Sequence, residues 1–218
     1  MLQICSGSSA YIDKFVIYGE RHSGTNFLEQ CFKQTFDLDR TEYYGNKHFF
    51  GWAKPETISF RGKHTLFIGI VRNPYDWIMA MNRLPHHVPK QNIGLPQMLL
   101  NEWYSVLGGN EILTDRNYTS KNRYKNIFEL RKTKLLFLVE IMPVIASNYI
   151  LLSYEEFIHN HYFILNLIGH RYNLHKANKT APPGQIKKRL VPDDIKKIID
   201  DNIDWNVEKL VGYEPRDS

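Results

Sequence analysis

Phe15-Val16-Ile17-Tyr18 is an apolar run that feeds directly into Gly19-Glu20-Arg21-His22-Ser23-Gly24-Thr25-Asn26. Beyond that turn, Phe27, Leu28, Cys31 and Phe32 recur at helical spacing. Strand, glycine-bracketed turn and helix, in that order, commit this part of the chain to a β/α unit. The glycines at 19 and 24 stand at the spacing that lets backbone N–H groups and a helix N-terminus cradle an anion. The alternative reading of such a turn is tight packing alone. In nucleoside-triphosphate loops a Lys and then a Ser or Thr follow the second glycine, for the β/γ-phosphates and for Mg²⁺. Here Thr25 and Asn26 hold those places, and the charge has moved ahead of the glycine to Arg21 and His22. The turn is therefore expected to take a phosphate-like group without magnesium, which points away from kinases.

A second segment, Leu66-Phe67-Ile68-Gly69-Ile70-Val71-Arg72-Asn73-Pro74-Tyr75-Asp76-Trp77, reads as a strand over 65–71 buried on both faces. Pro74 is placed as the first residue of a helix over 74–83. Ligands of open α/β sheets bind outside the carboxyl ends of the strands. Arg72 and the 19–26 turn should then share one edge, where a guanidinium fork suits phosphate. The competing reading pairs Arg72 with Asp76 on the first helical turn.

The Ser23-Gly24-Thr25 turn followed by Val71-Arg72-Asn73-Pro74-Tyr75-Asp76 resembles the sulfotransferases that use 3′-phosphoadenosine 5′-phosphosulfate (PAPS). Tyr149 to Phe157 resembles that family's strand ending in Tyr-Glu-Asp, and Asn206 to Tyr213 its closing helix and Gly-Tyr. These segments span residues 15 to 213. The resemblance implies a P-loop-like, three-layer α/β sandwich with a mainly parallel central sheet. It implies that Glu20, Arg21, His22, Ser23, Gly24, Thr25 and Asn26 hold the phosphosulfate, Arg72 the 3′-phosphate and Tyr154 the adenine side, without a metal. Three departures stand out. His22 occupies the place of the family's Lys and Arg21 that of its Pro. Ala80 replaces a Ser that would be a second 3′-phosphate ligand. The family's C-terminal Arg-Lys-Gly has no clear match. Lys188 and Arg189, in the basic stretch Lys187-Lys188-Arg189 with Lys176 and Lys179 nearby, are the candidates to replace it, unless that stretch is only a solvated loop.

Sulfuryl transfer needs a base for the acceptor and cationic donors around the leaving phosphate. Arg21, His22 and Lys47 are expected to supply the cations. His48 is the expected base; it lies where the resembling enzymes carry a Lys-Thr-His segment, and an imidazole near pKa 6.5 suits the task. Glu20 is the rival base and His86 or His87 a third option; the remaining histidines look structural. Loops 43–52, 84–97 and 108–124 are expected to shape the acceptor pocket, with Tyr43, Tyr44, Phe49, Phe50 and Trp52 available to stack on a sugar or aryl acceptor.

With 218 residues, 43% hydrophobic, the chain suits one globular domain with ample core. A net charge of +5, scattered except at 187–189, suits an anionic cofactor and a small-molecule or glycan acceptor rather than nucleic acid. Cys31 is expected as a buried thiol, and two cysteines make no disulfide framework. No apolar run reaches a membrane span and residues 1–10 do not read as a secretory signal, so the expectation is a cytoplasmic protein with a frayed residue 1–10 segment. The remaining elements read as a helix over 25–36, a weak strand over 42–44, a lid-like loop over 84–97 and a helix over 97–107. A helix over 126–146, a strand over 149–153, a helix over 154–168, a basic loop over 172–190 and two closing helices complete the order. The rival functions are a nucleotide kinase or hydrolase on the same kind of sheet and a catalytically silent nucleotide-binding relative.

Overall fold

The computed structural model describes residues 2–6, 11–177, 181–184 and 190–216. A mixed α/β fold is built on five strands: β1 (Leu2–Ser6), β2 (Lys14–Tyr18), β3 (Asp39–Arg40), β4 (Thr65–Val71) and β7 (Tyr149–Ser153). Their order across the sheet is β1-β7-β4-β2-β3. β4 is central, parallel to β2 from Lys14↔Thr65 to Tyr18↔Gly69 and to β7 from Phe67↔Tyr149 to Val71↔Ser153. β1 alone runs antiparallel, along β7. Two further short strands, β5 (Val106–Leu107) and β6 (Asn110–Glu111), form a separate ribbon turned at Gly108-Gly109.

Alternation along the strands divides the core in two. On one face Phe15, Ile17, Ile68 and Ile150 pack with Leu28 and Phe32 of α1 (Thr25–Thr35) and with Phe157, Ile164 and Ile168 of α7 (Tyr154–Tyr172). On the other, Val16, Phe67, Tyr149 and Leu151 pack with Ile58 of α2 (Pro55–Arg61), Leu135 of α5 (Ile127–Leu136), Met142 of α6 (Met142–Ile145) and Val207 of α9 (Trp205–Leu210). The sheet is therefore the middle of three layers. A third cluster joins α3 (Pro74–Arg83), α4 (Gln97–Leu100), α5 and α8 (Asp193–Asn202) around Trp77, Met98, Leu130 and Ile199.

Local chemistry sets several boundaries. Asn73 caps α3 by accepting from the Tyr75 and Asp76 N–H groups, with Pro74 behind it. Ser153 caps α7 and Asn126 caps α5 in the same way. The strands over 65–71 and 149–153 and the helix over 74–83 run as read from sequence.

Other elements differ. Residues 2–6 are not frayed: they pair along β7, which would otherwise present an open edge. The helix over 97–107 stops at Leu100, because Trp103 exchanges two backbone hydrogen bonds with Tyr124 and Glu102 gives its carbonyl to Asn92. The weak strand falls at 39–40 rather than 42–44. The helix over 126–146 is α5, a π turn over Phe137–Ile141 and α6 in succession. α7 continues to Tyr172, ended by Asn173 in the left-handed region. Lys179, Lys188 and Arg189 lie outside the described residues, while Lys176 hydrogen-bonds Asn166. Among the described residues no helix is long and apolar enough to cross a membrane.

Candidate anion site

The turn after β2 is held by two close approaches. A Cβ on Gly19 would lie 2.7 Å from the Ile70 carbonyl oxygen, so only glycine lets the turn sit against the end of β4. Gly19 also donates its N–H to the Lys47 carbonyl and accepts from His48 Nδ1 at 2.8 Å, which fastens residues 47–48 beside the turn. Gly24 has φ +91°, and a Cβ there would fall 2.2 Å from the Tyr154 ring. It starts α1 without a side-chain cap, leaving the positive end of that helix facing outward. Above it opens a cavity of about 640 Å³, a nucleotide-compatible size.

The turn has two sides with opposite chemistry. Glu20 lies beneath it, and Arg21, although it borders the cavity, pairs its guanidinium with carboxylates on that side. The Arg21 guanidinium is buried, paired with Glu20 at 2.8 Å and with Asp115, and hydrogen-bonded to Ser105. Lys134 of α5, also buried, reaches Glu20, Asp115 and the His48 carbonyl. Two cations and two carboxylates thus neutralise each other. Burial pushes the Glu20 carboxyl up, but Lys134 and Arg21 beside it outweigh this and hold it at about 2.

These contacts correct three expectations. Arg21 borders the cavity, but Glu20 and Asp115 match its charge and its guanidinium lies 5.3 Å from the Phe49 ring centroid, so it brings no unmatched cation to a leaving phosphate. Glu20 neither lines the cavity nor serves as a base. Ser23 is buried on the Glu20 side, and its N–H is taken by the Glu20 carbonyl. Sequence spacing places residues on a turn but does not say which side each one faces, and Asp115 and Lys134 left no signal near the motif.

The upper side carries the other residues. His22, Gly24, Thr25, Asn26, Lys47, His48, Arg72 and Tyr154 all line the cavity. Arg72 is 7% exposed, donates to the His22 carbonyl at 2.8 Å and lies 4.6 Å from the centroid of the Tyr154 ring. Its Nε has no hydrogen-bond partner, and among the described residues it has no carboxylate partner. The Arg72–Asp76 pairing does not form; Asp76 is bound by Arg216 at 2.6 Å. Lys47 reaches across to the Asn26 side-chain oxygen at 2.5 Å, beside the start of α1, with Glu29 at 3.6 Å.

Since His48 Nδ1 meets a carbonyl, it must carry the proton, and Nε2 is left with its lone pair. Burial, with Arg21 and Lys47 acting the same way, lowers this imidazole to about 4 against the Gly19 bond and Glu20. It is neutral at pH 7, and a weaker base than the value near 6.5 expected from the free side chain.

Arg83 is a lining residue that sequence reading passed over. It stands three positions beyond Ala80 on the same face of α3, which was the available signal. It too has no carboxylate partner among the described residues. His86 and His87 complete the rim, with Phe49 5.5 Å from the His87 ring. Of the aromatic residues expected to stack on an acceptor, only Phe49 lines the cavity: Tyr44 and Phe50 are in the core, Tyr43 meets Arg61, and Trp52 lies under Lys121. Loop 108–124 does not reach it either, being drawn beneath the turn by Asp115.

Among the described residues no carboxylate is in the cavity walls, and no group of three or more His, Cys, Asp or Glu is placed to hold a metal ion. No protein-family model matches the chain, and no curated protein matches it.

Proposed function

We propose that this chain is a PAPS-dependent sulfotransferase acting on a hydroxyl or amine acceptor, a small molecule or a glycan, with the cavity above the 19–26 turn as its site. One observation carries the reading: a buried guanidinium, Arg72, with no carboxylate partner among the described residues shares a cavity with the uncapped start of α1 and with an imidazole whose Nε2 meets none of the described residues' hydrogen-bonding groups. A buried unpaired charge is costly unless a counter-charge arrives. The donor nucleotide supplies a sulfuryl group on a phosphate leaving group at one end and a 3′-phosphate at the other.

The chain's own residues then divide the work. The N–H groups of residues 24–26 and Lys47 hold the phosphate at the start of α1. Arg72 and Arg83 hold the far phosphate, Arg83 doing what a side chain at Ala80 cannot. Tyr154, stacked between Gly24 and Arg72, offers its ring to the nucleotide. His48 Nε2 takes the proton of the acceptor as the new S–O or S–N bond forms and the bond to the leaving phosphate breaks. Apart from alignment, the protein contributes electrostatic stabilisation in a cavity without competing carboxylates.

A nucleotide kinase or hydrolase is disfavoured by residue type. Thr25 and Asn26 stand where Lys and a Mg²⁺-binding hydroxyl would be, and no carboxylate is at hand for the metal. Thermal shift with adenosine 3′,5′-bisphosphate and with ATP–Mg²⁺ separates the readings. Stabilisation by the bisphosphate is expected, and a response to ATP–Mg²⁺ alone would favour the kinase. Transfer from labelled PAPS to phenols and glycans then distinguishes an active enzyme from a silent binder, a reading favoured only by His22 in place of a permanent cation.

A further inference from the structure

His22 sits in the wall of the cavity with φ +62°, and its Nε2 is 2.8 Å from the Leu84 carbonyl oxygen. A carbonyl only accepts, so Nε2 must carry a proton. In the neutral ring Nδ1 is then a lone pair, which repels an anion. Nδ1 donates only when the ring is an imidazolium. Everything facing this ring is neutral or cationic: Arg83 at the end of α3, His86 with ring centroids 5.9 Å apart, Arg72 on the His22 carbonyl, and Lys47 and His48 elsewhere in the same cavity wall. Among the described residues no carboxylate in the cavity walls offsets them.

We infer that anion binding in this cavity is coupled to uptake of a proton on His22 Nδ1, so that the ring becomes a cationic donor only when a phosphate is present. The inference rests on the anion-binding reading proposed above and adds a proton to it. In the free protein the ring is held below its ordinary value, chiefly by burial and then by His86, Arg72 and Arg83, against the Leu84 bond. A bound phosphate reverses the balance of neighbouring charge and raises it. Affinity therefore increases as pH falls from 8 toward 6, where a fixed ammonium at this position would give a flat response. The other rings able to take the proton are His48 and His87, whose Nδ1 atoms meet carbonyls, and His86.

The test is calorimetric titration of the full chain with adenosine 3′,5′-bisphosphate at pH 7.5, in buffers of different ionisation enthalpy. Phosphate monoesters, with second pKa near 6, are then largely dianionic and contribute little. Uptake approaching one proton per nucleotide is expected, with affinity falling up to tenfold per pH unit above neutrality. His22→Lys should bind with no uptake, and His22→Asn should bind more weakly with no uptake. His48→Asn, His86→Asn and His87→Asn should keep the uptake. Binding without proton uptake by the unmodified chain, or uptake that survives in His22→Lys, overturns the inference while leaving the site standing. Absence of any bisphosphate binding overturns the underlying reading instead.

Discussion

The two sides of one turn show how a short motif sorts charge. Beneath it, Glu20, Arg21, Asp115 and Lys134 are buried and mutually paired. Above it, Arg72 and Arg83 face a cavity with no carboxylate in its walls among the described residues. Both sides are rich in charge, but only the upper one has charge left over. The lesson is that a cation's place in a motif says little until its partners are counted. The paired side holds the turn in shape, and the unpaired side is where a ligand can contribute what the fold leaves out.

Substitutions should separate the two sides cleanly. The largest expected effect is on rate: His48→Asn should lower transfer by about 10²–10⁴-fold with bisphosphate affinity retained, measured by labelled PAPS turnover and calorimetry. Since the ring must be neutral to accept a proton, kcat/KM for the proposed transfer by the unmodified chain should fall as pH drops through about 4. A normal rate in His48→Asn would hand the base role to another group.

Beneath the turn, Lys134→Met leaves two buried carboxylates with one cation. A loss of about 3–5 kcal/mol is expected, read as a Tm lower by roughly 10 °C. An unchanged Tm would mean that the cluster does not hold the turn. The same cluster sets an acid limit: Glu20 is lowered to about 2 in the fold, so its contribution is complete above the unfolded value near 4.5 and is lost as pH falls toward 2. Acid unfolding monitored by circular dichroism should therefore fall in that window, and Lys134→Met should move it to higher pH.

Arg72→Ala should cost about 1.5–3 kcal/mol of bisphosphate binding, seen as a roughly 10- to 150-fold rise in Kd, with a much smaller change in Tm than Lys134→Met. The reverse pattern would place Arg72 with the structural side. The smallest effect belongs to Lys33→Ala, which removes an exposed i,i+4 pair with Glu29 and should shift stability by no more than about 0.5 kcal/mol.

Legibility from sequence followed the same division. β4, α3 and β7 were readable because continuous apolar runs flank strong punctuation: Asn73 and Pro74 after one strand, Ser153 after the other. The edge strand β1 was not, since its pairing depends on what β7 leaves open. The helix past Leu100 lost to a tertiary pairing between Trp103 and Tyr124 that no local pattern announces. In the site, Gly24 and Arg72 were named from spacing and Lys47 and His48 from the resemblance, and all four line one cavity, while Gly19 seats the turn against β4. The direction of Arg21 was not legible, because its partners Ser105 and Asp115 come from distant segments that flank the β5–β6 ribbon. Arg83 could have been found by stepping one helical turn from Ala80.

The central claim is that residues 24–26 and Arg72 grip opposite ends of one nucleotide without a metal. A crystal structure of the complex with adenosine 3′,5′-bisphosphate tests it most directly. The expected result is one phosphate on the N–H groups that open α1 and the other within hydrogen-bond reach of Arg72 and Arg83. A nucleotide bound away from this cavity, or one whose second phosphate never approaches Arg72, would contradict it.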